Sequence, residues 1–451
     1  MQKSFLLGIS VGESFAEFAL LSGDKAVALK RIYFSRDNLK SNLQQFLQDN
    51  SDSKPEKAFI SLRLPKRLLD FKLSGPAAHL TTAGFEDWLN ICGKSLPLTE
   101  QSLVFPIQER LSANGDVVQA LEIEHLKEVA QKIKEAQCSK VCIHFLHANK
   151  NPLHEEQAKS FLLEQGFEVF TPISTDDSEV LRWNKNSLNA TVSGVLNERK
   201  EEIFAGLEGV LEKENIFLMN SEGHATPHLS SHPIGDFFSA STAMALTYGE
   251  KNKADILYLG LESFTFIYAD EWSDTWQSPW GPVAAKHARM EELEIQPTAC
   301  IGLNDFGRFD FDNNITGWEP GPMLLGRGQK PTLIDLWAEN PKLQALESLQ
   351  ERVQATGVQR FKNAIFAMSK ISSMKDSDVP KLSKDLQSLS LQRLAMEAFL
   401  KRKTQKLLIM GPLASVFGNA FKKDKNSMIF TEEFHESMAL ALCGAKYTEG
   451  K

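Results

Sequence analysis

The chain has 451 residues, 42% hydrophobic and 24% charged, enough for two or three domains around a sizeable core. Its net charge of −8 supplies no field that would draw it to nucleic acid or to an anionic membrane, so neither partner is expected. Five cysteines (Cys92, Cys138, Cys142, Cys300 and Cys443) lie scattered, and only Cys138 and Cys142 stand four apart, which excludes a zinc knuckle or a disulfide framework as the reading of the pattern. No apolar run reaches membrane-spanning length and the N-terminus lacks a signal-peptide pattern, so a reduced cytoplasmic location is the expectation.

In chain order, "KSFLLGIS", "SFAEFALLSG" and "KAVALKRIYF" predict three successive strands, punctuated by Gly12 and by "SGDK". "RDNLKSNLQQFLQDN" has helical spacing, and "KAFISLRL" is another strand. "IEHLKEVAQKIKEAQ" and "HEEQAKSFLLEQGF" predict helices, the second closed by Gly166. "KVCIHFLHA" and "EVFTPIS" predict the strands that follow them, a pattern that favours a parallel sheet. A long helix is expected over "NSLNATVSGVLNERKEEIFAGLEGVL", then a strand in "ENIFLMNSEG" and a helix in "FSASTAMALTYGEK". "ADILYLGLESFTFIYADEW" is a second glycine-bent apolar hairpin, with Gly260 and Ser263 where the first has Gly12 and Ser14; it predicts an internal duplication. Residues 338–404 read as mainly helical. "QKLLIMGPLASVFG" reads strand, turn, helix, and "HESMALALCGAKY" reads as a small-residue helix.

Two hairpin-led α/β halves around a cleft resemble the actin/hexokinase/Hsp70 type of fold, with two RNase H-like lobes. Local strings resemble the A-type subunits of the hydantoinase/oxoprolinase family. "TTAGFEDWLNI" is similar to T-T-x-G-F-x-D-x-L-x-I, and "ERLSANGDVVQAL" to an E-R-x-x-x-x-G-x-V segment. "VCIHFLHANKNPLHEEQAKSFLLEQGFEV" is similar to the strand, Asn-Pro-x-His-Glu and helix that follow it. "EPGPMLLGRGQKPTLIDLW" resembles P-G-P-x-x-Y-G-R-G-G-x-x-P-T-x-T-D, and "LLIMGPLAS" the closing G-G-A-G-P-L-H. The expected division is an N-terminal-like lobe over residues 1–185 and a second lobe over 186–451, which includes the helical segment 338–404.

The resemblance implies ATP-dependent opening of a cyclic amide of the hydantoin or 5-oxoproline type. Such chemistry needs hydroxyls and backbone N–H groups around phosphates, with carboxylates to hold magnesium. The family supplies them in two D-x-G-G-T-x-x-D loops. In the first loop here, Gly12 and Ser14 are kept as candidate ligand-binding residues and Glu17 as a weak catalytic candidate. Ser10 replaces the leading carboxylate and Glu13 the second glycine. A glutamate ~4 Å from a phosphate charge at surface-like dielectric opposes binding by on the order of 4 kcal/mol before screening. In the second loop, Gly260 and Ser263 survive as ligand-binding candidates, while Tyr258 and Thr265 replace both carboxylates and Leu261 the second glycine.

Other positions depart as well. "ISLR" (60–63) stands for H-G-T-T, and "SAST" (239–242) for S-G-P-A. Pro297 and Ala299 replace an Asp and a His, which leaves Asp305 as the nearest catalytic candidate, a residue type and setting equally suited to a turn. Arg327, between Gly326 and Gly328, is a candidate for an anionic ligand or for an internal salt bridge. Gly411, in the turn that resembles the family's adenosine side, completes the ligand-binding candidates. Thr332 and Asp335 read as a helix N-cap and its third position. His154 and Glu155 read as N-terminal capping residues. His144 and His147 suggest no metal set, and no metal ligand is assigned.

The expected function is therefore a hydantoinase/oxoprolinase-like protein with eroded phosphate and metal motifs. It would keep a ligand- or partner-binding role and need no cofactor. The alternative is an ATP-dependent cyclic-amide hydrolase using ATP and magnesium. The resemblance also implies a B-type subunit, or self-association, as the partner.

Overall fold

The computed structural model describes residues 4–12, 14–33, 38–63, 77–89, 103–172, 179–207, 209–227, 237–278, 281–312, 322–346, 349–375, 378–421, 428–430 and 435–448. Glu13, Cys92, Pro320 and Gly321, all quoted above, lie outside them.

Strands β1 (Phe5–Val11), β2 (Phe15–Ser22) and β3 (Lys25–Tyr33) form an antiparallel meander. Helix α1 (Leu39–Asp49) buries Leu39, Leu43 and Phe46 at helical spacing, and returns the chain to β4 (Lys57–Leu62), parallel to β1. A separate sheet follows. Its strands β5 (Ala78–Thr82) and β6 (Val104–Ile107) pair in parallel. The small hairpin β7 (Arg110–Leu111)/β8 (Val117–Gln119) precedes α2 (Ile123–Glu135), β9 (Lys140–His144), α3 (Leu153–Glu164) and β10 (Glu168–Phe170). The order β10-β9-β5-β6 is parallel throughout, as the helix–strand alternation predicts.

Helix α4 (Glu179–Ala205) begins seven residues earlier than its leucine pattern suggests. The added turns carry Trp183, which is fully buried between the parallel sheet and the helix. Then β11 (Ile216–Met219) pairs in parallel with β4, and β12 (Ala225–Pro227) pairs antiparallel with β11. The first sheet, β12-β11-β4-β1-β2-β3, thus draws on chain from both sides of the expected boundary at 185/186.

Helix α5 (Ser239–Met244) runs through a π turn into β13 (Ala254–Leu259). β14 (Phe264–Ser278) and β15 (Gly281–Glu292) extend the second sheet as a long hairpin. β16 (Cys300–Leu303) and β17 (Phe309–Asp312) form a small hairpin of their own. Residues 338–404 carry α6 (Ala355–Ile371) and α7 (Val379–Lys401). β18 (Lys406–Met410) and β19 (Met428–Phe430) complete a sheet of order β15-β14-β13-β18-β19, and α8 (Glu436–Thr448) ends the described chain.

The duplication is visible in the pairing. In each sheet an antiparallel meander is followed by a parallel strand beside its first member, and then by another parallel strand. Each half has a core of its own. One gathers Leu7, Ile9, Phe18 and Ile60; the other gathers Leu257, Phe264, Trp337 and Phe417. The tip of the β14–β15 hairpin, through Val283 and Ala285, packs into the first core and ties the lobes together.

Candidate functional site

The two glycine bends have the same local geometry. Gly12 N donates to Phe15 O at 2.9 Å, and Gly260 N donates to Ser263 O at 3.0 Å. A Cβ at Gly12 would lie 3.0 Å from Phe15 O, and one at Gly260 2.9 Å from Ser263 O, so a side chain at either bend would crowd the turn. The bends face one another. The Ser14 hydroxyl donates to a Glu262 carboxylate oxygen across the gap between the lobes. Both glycines line a cavity of about 780 Å³.

Arg327 reaches into the same junction. Its Nη2 donates to the Tyr33 hydroxyl at 2.9 Å and its Nη1 lies 4.0 Å from Glu262, so it bridges β3 of the first lobe to the bend of the second. Of its two readings, the internal one describes this geometry. Gly326 and Gly328, which flank it, have φ of +73° and +59°. Thr332 caps the 3₁₀ turn Leu333–Trp337, and the Asp335 carboxylate accepts from Thr332 N at 2.8 Å and Leu324 N at 2.8 Å.

The other candidates fall elsewhere. Glu17 is buried and accepts from Arg31 Nε at 2.7 Å and from Glu436 N at 2.7 Å, so it caps α8 from within the first sheet. Burial pushes its carboxyl up, but Arg31, His435 and its hydrogen bonds outweigh that and hold it below the ordinary range. Asp305 sits on the exposed turn between β16 and β17, in the loop closed by Gly307 N to Asn304 O, and does not line the cavity. Gly411 has φ +101° just after β18, which runs parallel beside β13. A Cβ there would lie 2.7 Å from Leu259 O, and its neighbour Pro412 lines the cavity. Ser263 shares a hydroxyl contact of 3.3 Å with Thr265 on the cavity wall. Leu261 belongs to the second core while also touching the cavity.

His154 and Glu155 do not cap their own helix, contrary to the sequence expectation. His154 Nδ1 meets Glu109 Oε2 at 2.7 Å, and Glu155 accepts from Phe145 N at 3.1 Å. Both tie α3 to neighbouring strand ends, because α3 packs with its first turn buried. Burial pushes Glu155 up to about 8, against the pull of Arg182.

Sequence reasoning missed the group that organises the cavity floor. Arg63 Nε donates to Glu436 Oε1 at 2.6 Å, and its guanidinium lies 3.7 Å over the Tyr258 ring. Ser10 Oγ donates to the same Glu436 oxygen at 3.2 Å. The residues that replace both leading carboxylates, Ser10 and Tyr258, therefore meet one ion pair. Arg63 was visible only as the last residue of "ISLR", and nothing in the local sequence pointed to Glu436. Arg63 Nη2 has no protein partner. On the far wall His287 stacks on Phe238 at 4.5 Å, and its Nδ1 lies 2.7 Å from Ala288 O. A carbonyl only accepts, so Nδ1 carries the proton and Nε2, buried without a partner, carries the lone pair. Burial lowers the His287 pKa, which keeps the ring neutral. The cavity thus offers a fixed cationic donor and a neutral acceptor. The other cations on its wall are engaged: Arg289 with Glu271 at 2.6 Å, and Lys401 with Glu291 at 2.7 Å.

A duplicated RNase H-like core, with two glycine bends meeting at an interlobe cavity, defines a protein of the actin/hexokinase/Hsp70 fold type. Residues 67–166 match the hydantoinase/oxoprolinase N-terminal region. The fold is similar to that of nucleotide-free acetone carboxylase, an enzyme of ATP-dependent acetone carboxylation (TM-score 0.68, 15% identity, 98% of this chain and 70% of that one). It is also similar to that of the ATP-dependent caprolactamase from Pseudomonas jessenii (TM-score 0.66, 18% identity, 97% and 70%). An uncharacterized protein of Methanocaldococcus jannaschii is 26% identical over 299 residues; the match spans 57% of this chain and 44% of that relative, less than half its length. Among the described residues no helix is long and apolar enough to cross a membrane.

Proposed function

We propose that this chain keeps the hydantoinase/oxoprolinase architecture as a binding protein for a small amide or carboxylate ligand, without ATP-driven ring opening. The observation that carries the reading is the contact between Ser14 and Glu262, which joins the two bends at the place where phosphate loops would face each other. A phosphate there must displace a carboxylate that is already hydrogen-bonded and lies near Arg327. Leu261, as a core residue, cannot yield space without loss of packing. Among the described residues the Ser14–Glu262 contact and Leu261 both stand against a phosphate cradle between the bends. Arg63 Nη2 suits a ligand carboxylate or carbonyl oxygen, and His287 Nε2 suits a ligand N–H. A B-type subunit, or a second copy of the chain, remains the proposed macromolecular partner.

The alternative, an ATP-dependent cyclic-amide hydrolase, draws on the size of the cavity and on the same two groups, which would orient a ring amide. Calorimetry of the full chain with MgATP separates the two. Millimolar or weaker affinity is expected, together with no ring opening of hydantoin or 5-oxoproline. Submillimolar MgATP affinity, or ATP-dependent product, overturns the proposal.

A further inference from the structure

A second cluster of chemistry-bearing side chains lies in the parallel sheet, away from the cleft. In the β5–β9 register His79 stands opposite Cys142, and Thr81 opposite His144. Alternation along each strand puts all four on one face. His79, Cys142 and His144 are buried, one donor atom from each lies within 4.8 Å of the other two, and His79 Nδ1 is 3.0 Å from His144 Nε2. Helix α4 covers this face. Its Trp183 ring lies 5.6 Å from the His144 ring, and its Asn186 amide donates to Ile143 O at 3.0 Å.

The face is short of partners. His79 Nε2, His144 Nδ1, Thr81 Oγ1, Trp183 Nε1 and Asn186 Oδ1 are all buried without a hydrogen bond. Native interiors leave few such atoms, and a concentration of them needs a cause. Leucines at both histidines would fill the space at no polar cost, so retained imidazoles call for a ligand that imidazole serves. Two imidazoles and a thiol with no carboxylate among them suit a soft or borderline cation and not magnesium or calcium.

We infer that His79, Cys142 and His144 form a binding site for a d¹⁰ transition-metal cation, zinc(II) or copper(I). The site is independent of the cleft and of the reading given to it. A neutral imidazole offers one lone pair, and the metal takes one from each ring. The proton shared between His79 Nδ1 and His144 Nε2 moves to an outer ring nitrogen as the metal enters. Cys142 is a free cysteine. Binding replaces its S–H bond with a metal–sulfur bond and releases one proton to solvent, with no change in oxidation state. Copper(I) with one thiolate gives a neutral centre; zinc(II) leaves one positive charge and takes a fourth ligand, for which the Thr81 hydroxyl opposite His144 is placed. Donors held ~2.0–2.3 Å from one ion lie roughly 3.3–3.8 Å apart, so the widest pair closes by about 1 Å on binding.

The test uses the full chain, unfolded with chelator and refolded in separate arms with zinc(II), cobalt(II) as the spectroscopic stand-in for zinc, or copper(I) under reductant. One equivalent of metal per chain, a cobalt–thiolate charge-transfer band and protection from chelator are expected. Cys142→Ala should abolish the band, and His79→Leu or His144→Leu should lower retained metal at least tenfold. The double leucine variant, without metal, should melt no lower than the unmodified chain. If a variant fails to fold, the refolding arms of the unmodified chain decide alone. Less than one tenth of an equivalent in every arm, or a cobalt spectrum unchanged in Cys142→Ala, overturns the inference.

Discussion

At Gly411 the backbone holds φ +101°, and a methyl group would lie 2.7 Å from Leu259 O and 2.8 Å from Leu259 N. Strain and collision coincide there, with backbone on both sides unable to step away. Gly411→Ala should destabilise by about 2–4 kcal/mol, read as a lower denaturation midpoint. Gly326 is the milder case. Its φ is +73°, but the colliding atoms are the end of the Gln354 side chain, which can swing aside. Gly326→Val should lose roughly 1–3 kcal/mol, and an unchanged melting temperature would contradict the structural role of that loop. Glu155 makes a prediction in pH. Its folded pKa of about 8 lies above the ordinary value of 4.5, so its contribution to stability is fully present below about 4.5 and is lost as pH rises to about 8. Glu155→Gln removes that ionisation. Denaturant titrations between pH 5 and 8 should show the variant losing less stability with rising pH than the unmodified chain; parallel slopes would refute the assignment.

Between elements, the closest fit is α8 against the first sheet. A Cβ at Gly8 of β1 would lie 1.7 Å from Ser437 O, and one at Gly444 of α8 2.2 Å from the Phe59 ring. The small residues of "HESMALALCGAKY" thus let a helix sit directly on the strands. Glu17 fixes its first turn by accepting from Glu436 N, with Arg31 as its counter-ion. Glu17→Ala leaves the half-buried Arg31 without its counter-ion and the helix uncapped, and should lose about 3–5 kcal/mol. In the unmodified chain the Glu17 pKa is depressed, so its stabilisation is present above about 4.5 and fades as pH falls below it. Acid unfolding of Glu17→Ala should lack that component. An equally steep acid transition in the variant would place the acid-labile group elsewhere.

Across the whole molecule, two hydrogen-bonded contacts latch the lobes at the cleft, Ser14 with Glu262 and Arg327 with Tyr33, beside the stacking of Arg63 on Tyr258. The β14–β15 hairpin provides a third tie through Val283 and Ala285. Glu262→Ala combined with Arg327→Ala removes both polar latches but not the hairpin. The double variant should keep its fold, within about 1–2 kcal/mol, and be cleaved faster by protease. An unchanged cleavage rate would mean that the hairpin and the Arg63–Tyr258 contact suffice to hold the cleft shut.

Elements with local causes were legible in the residues alone. The two glycine bends, the parallel helix–strand units and the Thr332–Asp335 cap all follow from periodicity, turn chemistry and capping within a few residues. The matched pairing of the two sheets was foreshadowed by the echo of one hairpin in the other. Only the tertiary structure decided what those elements bring together. Ser10 meets Glu436 across 426 residues, and Arg63 meets Glu436 across 373. His79 joins His144 across 65, through strands whose order no local pattern reveals. It also separated Asp305, an acid on an exposed turn, from Glu17, an acid that caps a helix, although both read alike as candidate acids. The reason is physical. Local propensity acts over one or two turns of chain, whereas a site is made by side chains that share a volume, and that sharing is set by sheet order, register and the close approach that glycine and alanine allow.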